Sequence, residues 1–315
     1  VSKQTIPFTD RATWLAERSK DVTSTEVSAL FGLSPYSTEF ELWHAKKNGI
    51  VAPFVENNRV RWGNRLEPVI AQGIAEDHGW TIRKKDEYVR DTVTRMGASF
   101  DYEVKDVDNV GVLEIKNVDW KVFKDQWSQD GESVEAPPHI EMQVQHQLDV
   151  ADIDWAAIGV LVGGNEPRVI FRKRDRGVGT AIRQRVAIFW DSVERGVPPK
   201  PDYVRDSEFI TKQLRASAHD GETVEVGSEI AGLLAEYSGI SKQVSELEER
   251  RSAIKAMVLD QIGTASKVLS PFGTLTAGMT KDSQGTLITP EMVGTYVGAR
   301  SGYRQFRYTP KKEKS

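Results

Sequence analysis

The sequence predicts an α/β fold, a central mixed sheet flanked by helices over residues 1–205, followed by a linker at 206–225 and a helical plus β accessory region at 226–315. Three observations carry this. A long capped helix precedes three alternating strand-like segments, a helix, strand, strand, helix run follows them, and heptad-like apolar spacing begins only after residue 226. With 315 residues, 39% of them apolar and 28% charged, the chain can bury one large core and carry a smaller appendage.

In chain order, residues 10–48 read as a helix around Trp14 to Arg18, a Thr23-Ser24-Thr25 step able to cap a second helix, and a third helix at 38–47. A longer helix spans 58–78, with Gly79 as its stop signal and Pro68 as an expected kink or restart. Segments 81–88, 94–103 and 110–118 read as strands of an antiparallel meander, separated by polar turns that include Asp106, Asp108 and Asn109. Beyond Pro137 and Pro138, a helix at 139–150 carries the apolar stripe Ile140, Val144 and Leu148. Strands at 155–162 and 168–173 join the same sheet, and a helix at 178–195 stops at Gly196, Pro198 and Pro199.

Past the linker, Ile230, Leu233, Tyr237, Ile240, Val244, Leu247, Ile254 and Val258 recur at heptad-like intervals, interrupted by Arg251. A long helix or a helical hairpin is expected; an intrachain hairpin is the first use of this spacing, and an oligomer contact or a docking arm for a partner fits it as well. Short strands at 274–280 and 303–308 complete the prediction, and the basic tail from Arg300 to Lys314 reads either as a DNA-tracking segment or as a solvated end.

Composition excludes several chemistries. Without cysteine there is no disulfide, thiolate cluster or cysteine nucleophile, and five scattered histidines show no zinc-ligand spacing, so a metal here would be a hard, oxygen-bound ion. No apolar run is long enough for a membrane helix, and Val1 to Asp10 lacks a signal-peptide layout, so a cytoplasmic protein is expected. A net charge of -4 argues against coating nucleic acid by bulk charge, but Arg59, Arg61 and Arg65, and Arg172, Lys173, Arg174 and Arg176, form basic clusters. Each reads equally as solvated surface.

The chemistry concentrates at 110–118. Strand alternation puts Glu114 and Lys116 on one face, where an acid and a lysine in an apolar strand need a partner, solvent or a metal. Asp101, at the end of the preceding strand, can close on Glu114 across a hairpin, and two facing carboxylates repel unless a cation bridges them. Magnesium suits such a pair, with positions left for water and phosphate, and Glu67 on the long helix can add a ligand. Glu114 and Lys116 alone read first as a surface ion pair, and it is their context that reverses this. A second Glu-x-Lys, Glu103-Val104-Lys105, lies too close to Asp101 to oppose it.

Over roughly residues 10–200 the order of motifs resembles the phage lambda exonuclease and YqaJ-type viral recombinase nucleases of the PD-(D/E)xK superfamily. The motifs are Trp14-Leu15-Ala16-Glu17-Arg18, Phe31-Gly32-Leu33-Ser34-Pro35-Tyr36, Arg61-Trp62-Gly63 before Glu67, Ser99-Phe100-Asp101, Glu114-Ile115-Lys116, Gln143-Val144-Gln145, and Phe189-Trp190 before Pro198.

That resemblance implies a restriction-endonuclease-like core in which Asp101, Glu114, Glu67 and the Ile115 backbone carbonyl hold Mg2+, with Mn2+ as a substitute. Lys116 is then the catalytic lysine and Gln143 the glutamine bracing the site, while Gln147 shares the Gln143 face and reads equally as a solvated amide. It also implies a 5′-phosphate pocket of Arg18, Thr25 and Ser99, against the plainer reading of Arg18 as a partner for a nearby acid and of Trp14 as a core anchor. The implied activity is 5′–3′ digestion of linear duplex DNA, leaving 3′ single strands for a single-strand annealing protein, from a ring-shaped homotrimer. Structure- or site-specific endonuclease action, or noncatalytic DNA or partner binding, are the alternatives. Two departures from the family stand out: Thr25 where serine is frequent, and Phe100-Asp101-Tyr102 in place of a Pro-Asp-Gly turn. Asp91 reads as a surface turn aspartate.

Overall fold

A computed structural model describes residues 3–8, 10–50, 57–106, 109–130, 133–216, 223–279 and 289. The tail, the expected strand at 303–308, Asp108 and the end of the strand expected at 274–280 lie outside the described residues. The chain divides into two compact units at Ile210 and Thr211. Among the described residues no helix is long and apolar enough to cross a membrane.

In the first unit β1 (Lys3–Pro7) leads to α1 (Arg11–Arg18), whose first turn is capped by the Asp10 side chain. Where a helix cap was expected, Val22–Thr23 forms a short strand, β2, and a 3-10 turn (Val27–Phe31) follows with no side-chain cap. The Thr23 hydroxyl bonds Glu26 and lies beside Thr25, so this polar step is spent on a turn. The helix α2 (Glu39–Lys47) begins at Thr38 with a full capping box. Its successor α3 (Asn58–His78) starts at Asn57, ends at Gly79 with φ +67°, and continues helically through Pro68.

Two of the three strands expected next each break in two. The observed elements are β3 (Thr81–Lys84), β4 (Glu87–Asp91), β5 (Met96–Ser99), β6 (Tyr102–Lys105) and an unbroken β7 (Val110–Val118). Breaks at Lys85–Asp86 and at Phe100–Asp101 let the hairpin cross from one sheet into another, so there are two mixed sheets where a single meander was expected. The smaller has the order β1-β4-β5-β2, the larger β11-β10-β7-β6-β3. In the larger sheet β10 (Trp155–Val162) runs parallel to β7, and β11 (Glu166–Lys173) closes one edge. Between β7 and β10 the chain forms α4 (Trp120–Gln126), the short hairpin β8 (Ser128–Asp130) and β9 (Ser133–Glu135), and α5 (Pro138–Ala151). After β11 comes α6 (Arg176–Arg195).

Two cores form on opposite faces of the large sheet. Ile70, Ala71 and Ile74 of α3 cover Leu113, Ile115 and Ala157, while Ile140, Val144 and Leu148 of α5 join Val112, Ile158 and Val160. Each fully buried aliphatic contributes about 1.5–3 kcal/mol relative to exposure. Because α5 also touches β4 and β5, it packs against both sheets, and its polar side chains Gln143, His146, Gln147 and Asp149 are buried with its apolar stripe.

The stretch at 207–216, within the expected linker, is a helix, α7 (Ser207–Ala216). Before it, buried Asp206 accepts the Thr38 hydroxyl at 2.5 Å. In the second unit the expected long helix or helical hairpin is a single helix, α8 (Ser228–Ile262), and a small hairpin of β12 (Lys267–Ser270) and β13 (Gly273–Thr276) follows.

Candidate functional site

Glu114 is the most committed carboxylate of the large sheet. It sits in the middle of β7, only 4% exposed, on the face covered by α5. Its Oε1 accepts Lys116 Nζ and Gln143 Nε2, both at 2.6 Å, and its Oε2 accepts Gln147 Nε2 at 2.8 Å. Gln143 and Gln147, four residues apart on α5, share a helix face and reach the same carboxylate. Such charge-assisted bonds are what a buried carboxylate needs. Gln147 is fully buried and touches Glu114, which corrects its reading as a solvated amide.

Asp101 occupies the bend between β5 and β6. Since Tyr102 pairs with Leu113, the register extends to set Asp101 opposite Glu114. Its Oδ2 accepts the Ile115 N–H at 2.8 Å. Burial, then the charges of Glu114 and Glu67, push the Asp101 carboxyl up to about 8, against the opposing influence of Lys116 and the Ile115 N–H. Burial disfavours the Lys116 charge, but Glu114 and Asp101 outweigh it and hold that ammonium above its ordinary pKa.

Glu67 projects from α3 and pairs with Lys84 on β3, a lysine the sequence reading did not single out. Among the described residues, no three histidine, aspartate or glutamate side chains converge as a ready metal cage. The donor set still suits a hard cation: Asp101 and Glu114 repel each other, Asp101 retains lone pairs on Oδ1, and each carboxylate has about four acceptor sites. The chemistry of these residues therefore fits a divalent ion held by oxygen.

A second cluster lies one short step away through Ser99. The Ser99 carbonyl accepts Gln147 Nε2 at 3.0 Å, and its hydroxyl accepts Trp14 Nε1 at 2.8 Å. Arg18 lies over the Trp14 ring, 4.3 Å from its centroid, and donates to Thr25 Oγ1 at 2.8 Å and Thr23 Oγ1 at 3.4 Å. Among the described residues no carboxylate comes within ion-pair distance of Arg18. Trp14 thus shelves the guanidinium, a role the sequence could have hinted at through the i, i+4 spacing of the two residues on α1. Arg18, Thr25 and Ser99 are brought together, with Trp14 and Gln147 as additions.

A cleft of about 760 Å3 opens beside both clusters, lined among others by Thr25, Lys116 and Gln143, and by Arg59, Trp62 and Tyr36 at exposed positions. Of the two basic runs, only the first faces it. Arg172 is spent on Glu135 and Glu141, and Arg174 on Asp149 and Asp152. Asp91 is buried, not a surface residue: it caps the turn at Val93 and Thr94 and pairs with Arg183.

Residues 13–154 match the YqaJ-like viral recombinase domain. All the residues of both clusters fall inside that span. Protein YqaJ of Bacillus subtilis (strain 168) is 24% identical over 258 residues, covering 81% of this chain and 79% of the relative. Among solved structures, an alkaline exonuclease (LHK-Exo) from Laribacter hongkongensis is 17% identical, covers 65% of this chain and 98% of its own, and superposes with a TM-score of 0.44. A phage-related exonuclease from Haemophilus somnus 129PT is 14% identical, with 56% and 95% coverage and a TM-score of 0.42.

Proposed function

The chain belongs, over residues 13–154, to the YqaJ-like viral recombinase domain family, and on that premise we propose that it is a Mg2+-dependent 5′–3′ exonuclease of linear duplex DNA that leaves 3′ single strands for strand annealing. The observation that carries this reading is the pairing of Asp101 opposite Glu114, with Lys116 beside them and the Arg18 cluster joined to them through Ser99 and Gln147.

Asp101 and Glu114, aided by Glu67 and the Ile115 carbonyl, would hold the ion. Bound there, the ion supplies neutralisation of the scissile phosphate and a lowered pKa for water. Lys116, kept protonated by its two acidic neighbours, donates to developing negative charge on the phosphate. Gln143 fixes Glu114 from above and bonds Lys116 Nζ at 3.5 Å, so the lysine and the acid are oriented together. Gln147 holds the other carboxylate oxygen. Arg18, shelved on Trp14 and free of a carboxylate partner among the described residues, can grip a terminal phosphate with the Thr25 and Ser99 hydroxyls. Ser99 joins this grip to the acids, its hydroxyl accepting Trp14 and its carbonyl accepting the Gln147 amide that also holds Glu114.

The test compares linear and covalently closed circular duplexes, with 5′-phosphate or 5′-hydroxyl ends and with Mg2+, Mn2+ or chelator. Linear 5′-phosphorylated duplex should release mononucleotides and leave 3′ single strands in either metal and be untouched in chelator, while the circle survives. Cutting of the circle would favour an endonuclease on the same scaffold. Equal digestion of both ends, with Arg18→Ala harmless, would remove the end pocket.

A further inference from the structure

We propose that α8 joins two copies of this chain as an antiparallel two-stranded coiled coil, in the register that sets Glu236 beside the partner's Arg250. The helix is 35 residues long, roughly 52 Å at 1.5 Å per residue, and buries none of its residues. Leu233, Ile240 and Leu247 are 60%, 52% and 65% exposed. A lone helix in water draws its stability mainly from packing an apolar face, so a stripe of this length calls for an occupant.

The seam runs from Ile230 to Val258 at alternating intervals of three and four, about four heptads, the length at which the pattern specifies a coiled coil. Charges at its edges choose the orientation. In a parallel, in-register pair or trimer, Arg251 would meet its own copy in the seam, and Arg250 would flank Lys255 of the neighbour. Both are repulsions between like charges.

Reversing one helix removes both. The layers become Ile230 with Ile254, Tyr237 with Leu247 and Ile240 with Val244, each repeated by the twofold axis. Arg251 then lies across from Leu233, where its aliphatic stem can cover the seam while its charge reaches water. At the flank Glu236 meets the partner's Arg250 twice, and Gln243 meets its own copy. Sliding one heptad to pair Glu236 with Met257 loses both charge pairs, and sliding the other way, to pair Glu229 with Arg250, takes Ile254 and Val258 beyond the start of the facing helix. The surface is therefore self-complementary, which an isologous interface requires.

The absence of cysteine makes single-cysteine probes clean in the full chain. Light scattering should give the parent twice the mass of the Ile240→Asp/Leu247→Asp variant, whether the unit doubled is one chain or a ring. Glu236→Arg should weaken self-association by at least about tenfold, and Glu236→Arg/Arg250→Glu should restore it, a rescue that a misfolded helix would not show. On oxidation Ser241→Cys should cross-link, because the twofold sets it beside itself, and Ile254→Cys should not. Equal masses for parent and Asp variant, which would mean that the face is covered within the chain or by another protein, overturn the proposal. So does cross-linking through Ile254→Cys, which would show a parallel pair. Nuclease activity enters none of these readouts.

Discussion

Two neighbouring strands carry the same Glu-x-Lys triplet and meet opposite fates. On β6, Glu103 lies opposite Arg83 of the edge strand, bonds it and Lys85, and is held below the ordinary carboxylate range chiefly by the Arg83 bond. On β7, Glu114 lies opposite Ile158 on one side and on the other the carboxyl of Asp101, whose ionisation burial and the Glu114 charge oppose. Both glutamates point to the same face, so alternation does not separate them. The difference is the sign of the cross-strand neighbour: opposite charges satisfy each other and like charges leave a demand for a cation. A triplet is a structural ion pair where the sheet supplies that cation, and a catalytic candidate where it does not.

Substitutions can break this comparison at several depths. The largest effect is expected from Lys116→Ala, which should lower nucleotide release by about 10²- to 10⁴-fold, while Lys105→Ala leaves it unchanged; equal losses from the two would dissolve the distinction. Next is Gln147→Leu, which strips one support from Glu114. A loss of about 10- to 100-fold in metal affinity or turnover, with the fold intact by circular dichroism, is the expected result.

A pH series isolates the like-charge contact. In the unfolded chain Asp101 ionises near pH 4, whereas in the fold it keeps its proton to about 8, so its contribution to stability falls as pH rises across that window. His146 gives the opposite limb. Burial lowers its pKa to about 4, so stability is present above its unfolded value of about 6.5 and is lost as pH falls toward 4. Thermal unfolding in chelator should therefore show Asp101→Asn gaining on the parent from pH 5 to 8, with no gain near pH 4. The smallest effect belongs to Glu103→Gln, which should leave activity within about twofold, because it touches an exposed ion pair.

Much of this site was legible in the sequence. Stops such as Gly79 and Gly196 set helix ends through local chemistry, and alternation along β7 put Glu114 beside Lys116. What escaped was non-local. The alternation of 81–88 and 94–103 runs without a turn signal through the points where the chain changes sheet, so two sheets read as one. Gln147 looks like a surface amide until α5 is seen to pack against both sheets, and Asp91 like a loop aspartate until Arg183 arrives from α6. The α8 stripe left a long helix and a hairpin both open, because spacing records that a face is apolar and not what meets it.

The bend at Phe100–Asp101 has a mechanical consequence. Ser99 is anchored in the small sheet and Tyr102 in the large one, so Asp101 is placed by two separate pieces of packing. Any slack in the small sheet, such as a cavity at Met96 or Tyr88, arrives at Asp101 as an error of position. A displacement of one ångström can cost a reaction about a hundredfold, so side chains well removed from any phosphate help to aim this carboxylate.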